Sequence, residues 1–276
     1  MSNTNTFEAP LLLLFDGDML VFETTSACEK EMNWEGDLWV LYSDAGEAKS
    51  IIDDRVQSIT NKVLEKTKHV GPYEIVMCFT DDTNFRKKLL PTYKANRIGK
   101  RKPLAYSAVK QWVKDNYNSY QRPHLEADDC MGILATLKQN TVVISGDKDF
   151  KCVPGRFFNY RKNDFMEISE VQADYWHMFQ TLIGDTADNY AGCPGIGEKT
   201  AEKLLEAVVQ DCTPWADDET RRKKLWEVVV AQFVKKGLTE SDALLQAQVA
   251  RILRKADYDL KNKEVVLWEP VRPKKQ

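Results

Sequence analysis

Three short apolar runs in the first half of the chain each stop at acids. Leu11 to Phe15 is continuously apolar and ends at Asp16. YEIVMCF, Tyr73 to Phe79, is followed by Asp81 and Asp82, and TVVIS, Thr141 to Ser145, runs into Gly146, Asp147, Lys148 and Asp149. Runs this short, bounded by turn residues, predict buried strands. Between them the apolar positions take helical spacing. Ile52, Val56, Ile59 and Val63 predict a helix over 52–68 that Gly71-Pro72 ends, and 104–118 predicts a second. A third starts at PHLEADD, with Glu126, Asp128 and Asp129 in its first turns. Strands alternating with helices predict an α/β domain over 1–180, its largely parallel central sheet flanked by helices. Near residue 180 the texture changes to an acidic turn, a glycine-rich turn and a helix from about Glu198. Charged amphipathic helices at 219–236 and 241–255 follow, so 181–276 reads as a helical region closed by a short EVVLW edge segment. Residues 1–10 and the Lys-rich end read as tails, and 20–50 carry no clear pattern.

Ligands of parallel sheets collect outside the carboxyl ends of the strands. The acids placed there should therefore converge: Asp16, Asp81 or Asp82, Glu126, Asp128, Asp129, Asp147 and Asp149, joined by Asp185 and Asp188 of the acidic turn. Any one of them alone is an ordinary cap or turn residue, and Asp128 and Asp129 suit a helix N-terminus without any metal. Side by side they cannot all ionise without compensating charge. Hard Mg²⁺ or Mn²⁺ supplies it through oxygen ligands. So many acids exceed one ion and suit two, the arrangement that activates water and stabilises the leaving oxygen in phosphodiester cleavage.

Composition narrows the chemistry. The chain has 276 residues, 43% hydrophobic, with net charge −3, long enough for a substantial core. Six scattered cysteines (Cys28, Cys78, Cys130, Cys152, Cys193, Cys212) and three isolated histidines (His69, His124, His177) disfavour zinc and a disulfide framework. No membrane span and no secretory signal are expected. The near-neutral balance hides a basic strip. From Thr83 to Pro103 there is no acid, but there are eight cations: Arg86, Lys87, Lys88, Lys94, Arg97, Lys100, Arg101 and Lys102. Within FRKKLLPTYKANR, Arg86 and Lys87 interleave with Phe85 and Tyr93, rings able to stack on bases, which predicts nucleic-acid binding. GCPGIGEKTA lacks the spacing of a nucleotide-binding loop and follows no strand. It fits a tight turn whose backbone N–H groups meet a phosphate at a helix N-terminus, with Lys199 and Lys203 beside it.

Five ordered blocks, LLLLFDGD, FRKKLLPTYKANR, EADD, VVISGDKDF and GDTADNYAGCPGIGEKTA, span residues 11 to about 205. Together they make the chain resemble the structure-specific 5′-nuclease superfamily, the flap endonucleases and polymerase-associated 5′→3′ exonucleases. It is most like the stand-alone exonucleases of lytic short-tailed bacteriophages. The resemblance implies a PIN-like catalytic core, a basic helical arch at about 83–103 and a helix–two-turn–helix DNA clamp. By position it implies that Asp16, Glu126, Asp128, Asp129 and Asp147 hold a first metal, and that Asp149, Asp185 and Asp188 frame a second. Lys94 and Arg97 match arch cations that neutralise the scissile phosphate. Gly195 to Thr200, with Gly197 and Lys199 between, match a turn that grips duplex backbone with a K⁺ ion on its carbonyls. There are two departures: Asp18 precedes Met19 where the family usually has Asp-Gly-x-Asn, and FTDD leaves Asp81 or Asp82 as the acid after the second strand, with Asp81 nearer the strand end. The implied activity is metal-dependent 5′→3′ exonuclease or flap endonuclease action on duplex or flap DNA, with RNA–DNA hybrids as a further substrate. The implied setting is phage DNA replication or degradation in the host cytoplasm. The alternatives are a haloacid-dehalogenase-type phosphatase, whose nucleophile strand LLLLFDGDM also resembles, and a non-catalytic DNA-structure-binding protein.

Overall fold

The computed structural model describes residues 9–212 and 218–270, with 210–212 described by backbone alone. Of the expected tails, residues 1–8 and 271–276 lie outside these, as does the side chain of Cys212. The chain runs β1 (Leu11–Asp16), α1 (Gly17–Ala27), a hairpin of β2 (Glu29–Glu35) and β3 (Leu38–Ser43), α2 (Ala45–Thr67) and β4 (Tyr73–Cys78). Then come the short α3 (Phe85–Leu89), α4 (Tyr106–Asn116), β5 (Asn118–Tyr120), α5 (Ala127–Leu137), β6 (Thr141–Ser145), β7 (Gly155–Asn159) and β8 (Asp164–Ile168). The helices α6 (Glu170–Ile183), α7 (Glu198–Cys212), α8 (Asp218–Lys235) and α9 (Glu240–Ala250) complete the main elements.

Six strands form one sheet in the order β5-β4-β1-β6-β7-β8, parallel throughout except for the β7–β8 pair. β1 is central and covered on both faces, which is why it reads as an unbroken apolar run. Leu11, Leu13 and Phe15 pack into a core with Ile52, Val56, Val109 and Val113. Leu14 joins the opposite core with Leu125, Met131 and Val143. Burying a Leu or Phe side chain contributes roughly 1.5–3 kcal/mol, so β1 anchors both layers. A third core joins α6 to α7, α8 and α9 through Leu182, Leu205, Leu225, Phe233 and Ala247.

The basic strip folds as α3, a 3-10 turn at Ala95–Arg97 and connecting loops. Asn84 caps α3, and Lys94, in the left-handed conformation at φ 55°, begins the 3-10 turn. The final helix, expected to reach 255, stops at Ala250, because 251–254 leave helical geometry and turn inward, with Ile252 and Leu253 buried in the second core.

Candidate active site

The carboxyl ends of β1 and β6 bring the acids together. Asp16 ends β1 and caps α1, its Oδ1 accepting the Met19 N–H at 2.9 Å. Its Oδ2 accepts the hydroxyl of Ser145, the last residue of β6, at 3.2 Å. Two residues further, Asp147 caps the 3-10 turn Lys148–Cys152 by accepting the Asp149 N–H at 2.9 Å. Glu126 caps α5, whose first turn carries Asp128 and Asp129. Asp185 and Asp188 lie in the turn after α6, which an antiparallel bridge between Asp185 and Tyr190 closes.

The electrostatics tie these groups into one cluster. Burial, with the charges of Asp18 and Asp147, pushes Asp16 up to about 7. Burial, then Asp147, Asp185 and Asp188, does the same to Asp149, also to about 7. Asp128 is driven well above the carboxylate range by burial and by Asp16 and Asp147, and Asp147 is raised by burial, Asp188 and Asp185. Glu126 behaves oppositely. Burial opposes its ionisation, but Lys94 and Arg86 outweigh it and hold Glu126 down at about 2. Lys94 Nζ stands 2.5 Å from Glu126 Oε1 and 3.4 Å from Asp188 Oδ2, and Arg97 Nη2 stands 2.6 Å from Asp188 Oδ1.

Would a metal fit here? The donors are carboxylate oxygens, the set hard divalent ions take, and Asp149 Oδ1 is buried with no hydrogen-bond partner. Such an oxygen is costly to leave unsatisfied, and a cation would satisfy it. In this arrangement no three acids among the described residues stand at metal-ligand spacing. Lys94 and Arg97 form ion pairs with Glu126 and Asp188.

Four expected site residues take other roles. Asp129 is fully buried, and both of its oxygens are occupied. Arg86 Nη1 and Nη2 each lie 2.7 Å away, and the N–H groups of Glu126 and Leu253 each donate at 3.1 Å. It is a structural anchor with no lone pair turned to the cluster. Arg86, expected on DNA, is that anchor's partner: only 3% exposed, it also donates to the carbonyls of Val249 at 2.9 Å and Arg251 at 2.5 Å. Tyr93 is likewise 3% exposed, so its ring is not open to bases. Its hydroxyl lies 2.8 Å from Glu126 Oε2 and 3.0 Å from Asp188 Oδ2. Asp81 is held by its own neighbours. It accepts from the Thr83 hydroxyl at 2.6 Å, the His124 N–H at 3.0 Å and Gln121 at 3.1 Å, which outweigh partial burial and hold it at about 2. Asp82 is exposed.

The acid that does reach the β4 end is Asp18, which the sequence marked only as a departure. Its Oδ2 accepts the Thr80 N–H at 2.7 Å. Its signal was its place one residue past Gly17, in the first turn of the helix Asp16 caps.

On the DNA-facing candidates, Lys87, Lys199, Thr200 and Lys203 are exposed. Gly195 has φ 74°, and Lys236 stands beside it, its Nζ 3.3 Å from where a Cβ would lie. Gly197, one residue before α7, has open space around it. The turn is compact because Gly184 (φ 69°) and Gly192 (φ 64°) touch: a Cβ on Gly192 would lie 2.3 Å from the Gly184 nitrogen.

Residues 11–175 match the family described as 5′-3′ exonuclease, N-terminal resolvase-like domain. The exodeoxyribonuclease of Enterobacteria phage T3 is 36% identical, and the exonuclease of Escherichia phage T7 is 35% identical; each alignment covers 94% of this chain and 93% of the relative. A T5 5′-exonuclease structure with bound divalent zinc superposes with a TM-score of 0.52 at 16% identity over 88% of this chain and 93% of that one, a likeness of fold. Among the described residues, no helix is long and apolar enough to cross a membrane. With strand-end acids in the order of the motif blocks and a family model covering more than half its length, the chain belongs to the 5′-3′ exonuclease family and is a nuclease.

Proposed function

We propose that the protein hydrolyses DNA phosphodiesters from 5′ ends, as exonuclease and flap endonuclease, at the acidic cluster and with divalent cations. One observation carries this reading: Asp16, Asp128, Asp147 and Asp149 gather at the ends of β1, α5 and β6 with their ionisation suppressed by burial and by one another. These four, with Glu126, Asp185 and Asp188, are the residues that would hold two ions, Mg²⁺ or Mn²⁺. When bound, such ions supply charge neutralisation, an activated water and stabilisation of the leaving oxygen. Lys94 and Arg97 carry the part of the work that belongs to the chain itself. They leave Glu126 and Asp188 for the scissile phosphate and offset charge as it builds there. Gly195, Gly197, Lys199, Thr200 and Lys203 are assigned to the duplex backbone, with K⁺ at the turn carbonyls, and RNA–DNA hybrid is included as substrate. Contact through phosphates makes binding salt-dependent and nearly indifferent to sequence. The phosphatase alternative is not favoured, since the family matched is one of nucleases.

The test uses duplex DNA labelled separately at its 5′ and 3′ ends, incubated with Mg²⁺, with EDTA, and with the Asp147→Asn variant. Early release of 5′ label alone, requiring both metal and Asp147, is expected, with duplex binding by the variant retained. Normal cleavage by Asp147→Asn would overturn the site.

A further inference from the structure

The acidic cluster has a second cationic flank that Lys94 and Arg97 do not account for. α4 carries Lys110 and Lys114 one helical turn apart, and Lys102 lies just before it. Lys110 and Lys114 converge on the Phe79 ring, their Nζ atoms 5.1 and 5.2 Å from its centroid. Lys102 Nζ sits 4.5 Å over the ring of Tyr106, which Lys110 also approaches at 6.0 Å. Both rings are buried, so the ammonium groups rest against fixed aromatic surfaces. Phe79 packs against Gly17, the residue between Asp16 and Asp18; a Cβ there would lie 2.7 Å from a ring carbon. The three lysines therefore border the Asp16–Asp18 end of the cluster, while Lys94 and Arg97 hold the Glu126–Asp188 end.

Among the described residues their one ion-pair partner is Asp18, 2.7 Å from Lys110 Nζ, and Lys114 Nζ donates to the neutral Gln121 Oε1 at 2.7 Å. Asp18 is itself fixed by the Tyr106 hydroxyl at 2.9 Å and the Thr80 N–H at 2.7 Å. One carboxylate against three ammonium groups leaves a surplus of positive charge, and an anion placed between them would relieve their mutual repulsion. The geometry points to a phosphate subsite, formed by Lys102, Lys110 and Lys114, that holds the phosphate next to the scissile one on the substrate strand. This rests on the nuclease reading above. A strand crossing the acids then meets cations at both ends, with Lys94 and Arg97 on the phosphate to be cleaved and Lys110 on its neighbour. Ammonium groups hold phosphate without reading bases, so the subsite sets the register of the strand and not its sequence.

The test is a binding scan in EDTA with 5′-end duplexes carrying one uncharged methylphosphonate at each of the linkages nearest the 5′ end in turn. Lys110→Met keeps the stem packed on Phe79 and Tyr106 but removes the charge. It is expected to weaken binding of the unmodified duplex about tenfold, with the loss shrinking below about twofold when the neutral linkage occupies one particular position. Lys110→Arg should restore both affinity and position dependence. An equal loss at every position, or no loss on the unmodified duplex, overturns the subsite. Cleavage by the wild-type protein in Mg²⁺ is read separately: its absence would sink the nuclease reading, while the scan decides the subsite by itself.

Discussion

Replacing Asp149 by Asn should stabilise the metal-free protein. The folded chain holds this carboxyl, normally near 3.8, at about 7, through burial and the charges of Asp147, Asp185 and Asp188. A displacement of that size corresponds to about 4 kcal/mol against the ionised form above pH 7. Its Oδ1 also has no hydrogen-bond partner to offset the cost. An amide removes the charge, and with its own burial deducted a net gain on the order of 2 kcal/mol remains, a melting-temperature rise of roughly 6 °C for a chain of this size. The sign follows from proton linkage. The folded state binds more protons than the unfolded state between pH 3.8 and about 7, so this group's contribution is fully present below pH 3.8 and lost as pH rises to 7. Thermal melts in EDTA across pH 4 to 8 should show variant and wild type converging at the acid end and separating above pH 7. Mg²⁺ should raise the wild-type midpoint more than the variant's, because binding to the folded state adds stability by mass action. A variant less stable than wild type at pH 8, or a gap unchanged by pH, would refute the picture of unpaired, mutually repelling carboxylates.

Two substitutions separate structural from functional acids and glycines. Asp129→Asn leaves the buried Arg86 without its main counter-ion, so it should lower stability by about 3 kcal/mol while cleavage persists at low temperature; unchanged stability with cleavage abolished would return Asp129 to the metal site. Gly192→Ala places a Cβ against the Gly184 backbone at positive φ, and urea midpoints should fall by an amount equivalent to about 2 kcal/mol or more.

The strands that position the site were legible because both faces of β1 and β6 are buried, leaving unbroken apolar runs with acids directly after them. The β2–β3 hairpin was not, since Trp34, Trp39, Leu41 and Tyr42 remain exposed on it and no inside–outside alternation arises. The β7–β8 hairpin was missed because its five-residue strands are short, and only Phe157, Phe158, Asn159 and Ile168 among them are buried. Side-chain roles were harder still. Asp128 and Asp129 are adjacent and chemically identical, but a step around the helix turns one to the acids and the other to Arg86. That choice depends on Arg86 meeting Val249 and Arg251, more than 160 residues away in the chain, and no local pattern records it. The basic strip shows the same limit. Of its eight cations, Arg86 is spent on Asp129 and Glu126, Lys94 and Arg97 on Glu126 and Asp188, and Arg101 on Glu29. Among the described residues no carboxylate pairs with the other four. The sequence thus counts a charge that the fold half neutralises internally. On the function proposed above, the pairs at Glu126 and Asp188 would be the ones that substrate and metal exchange, the phosphate taking the cations and the metal taking the acids. Each ligand would then lower the cost of binding the other.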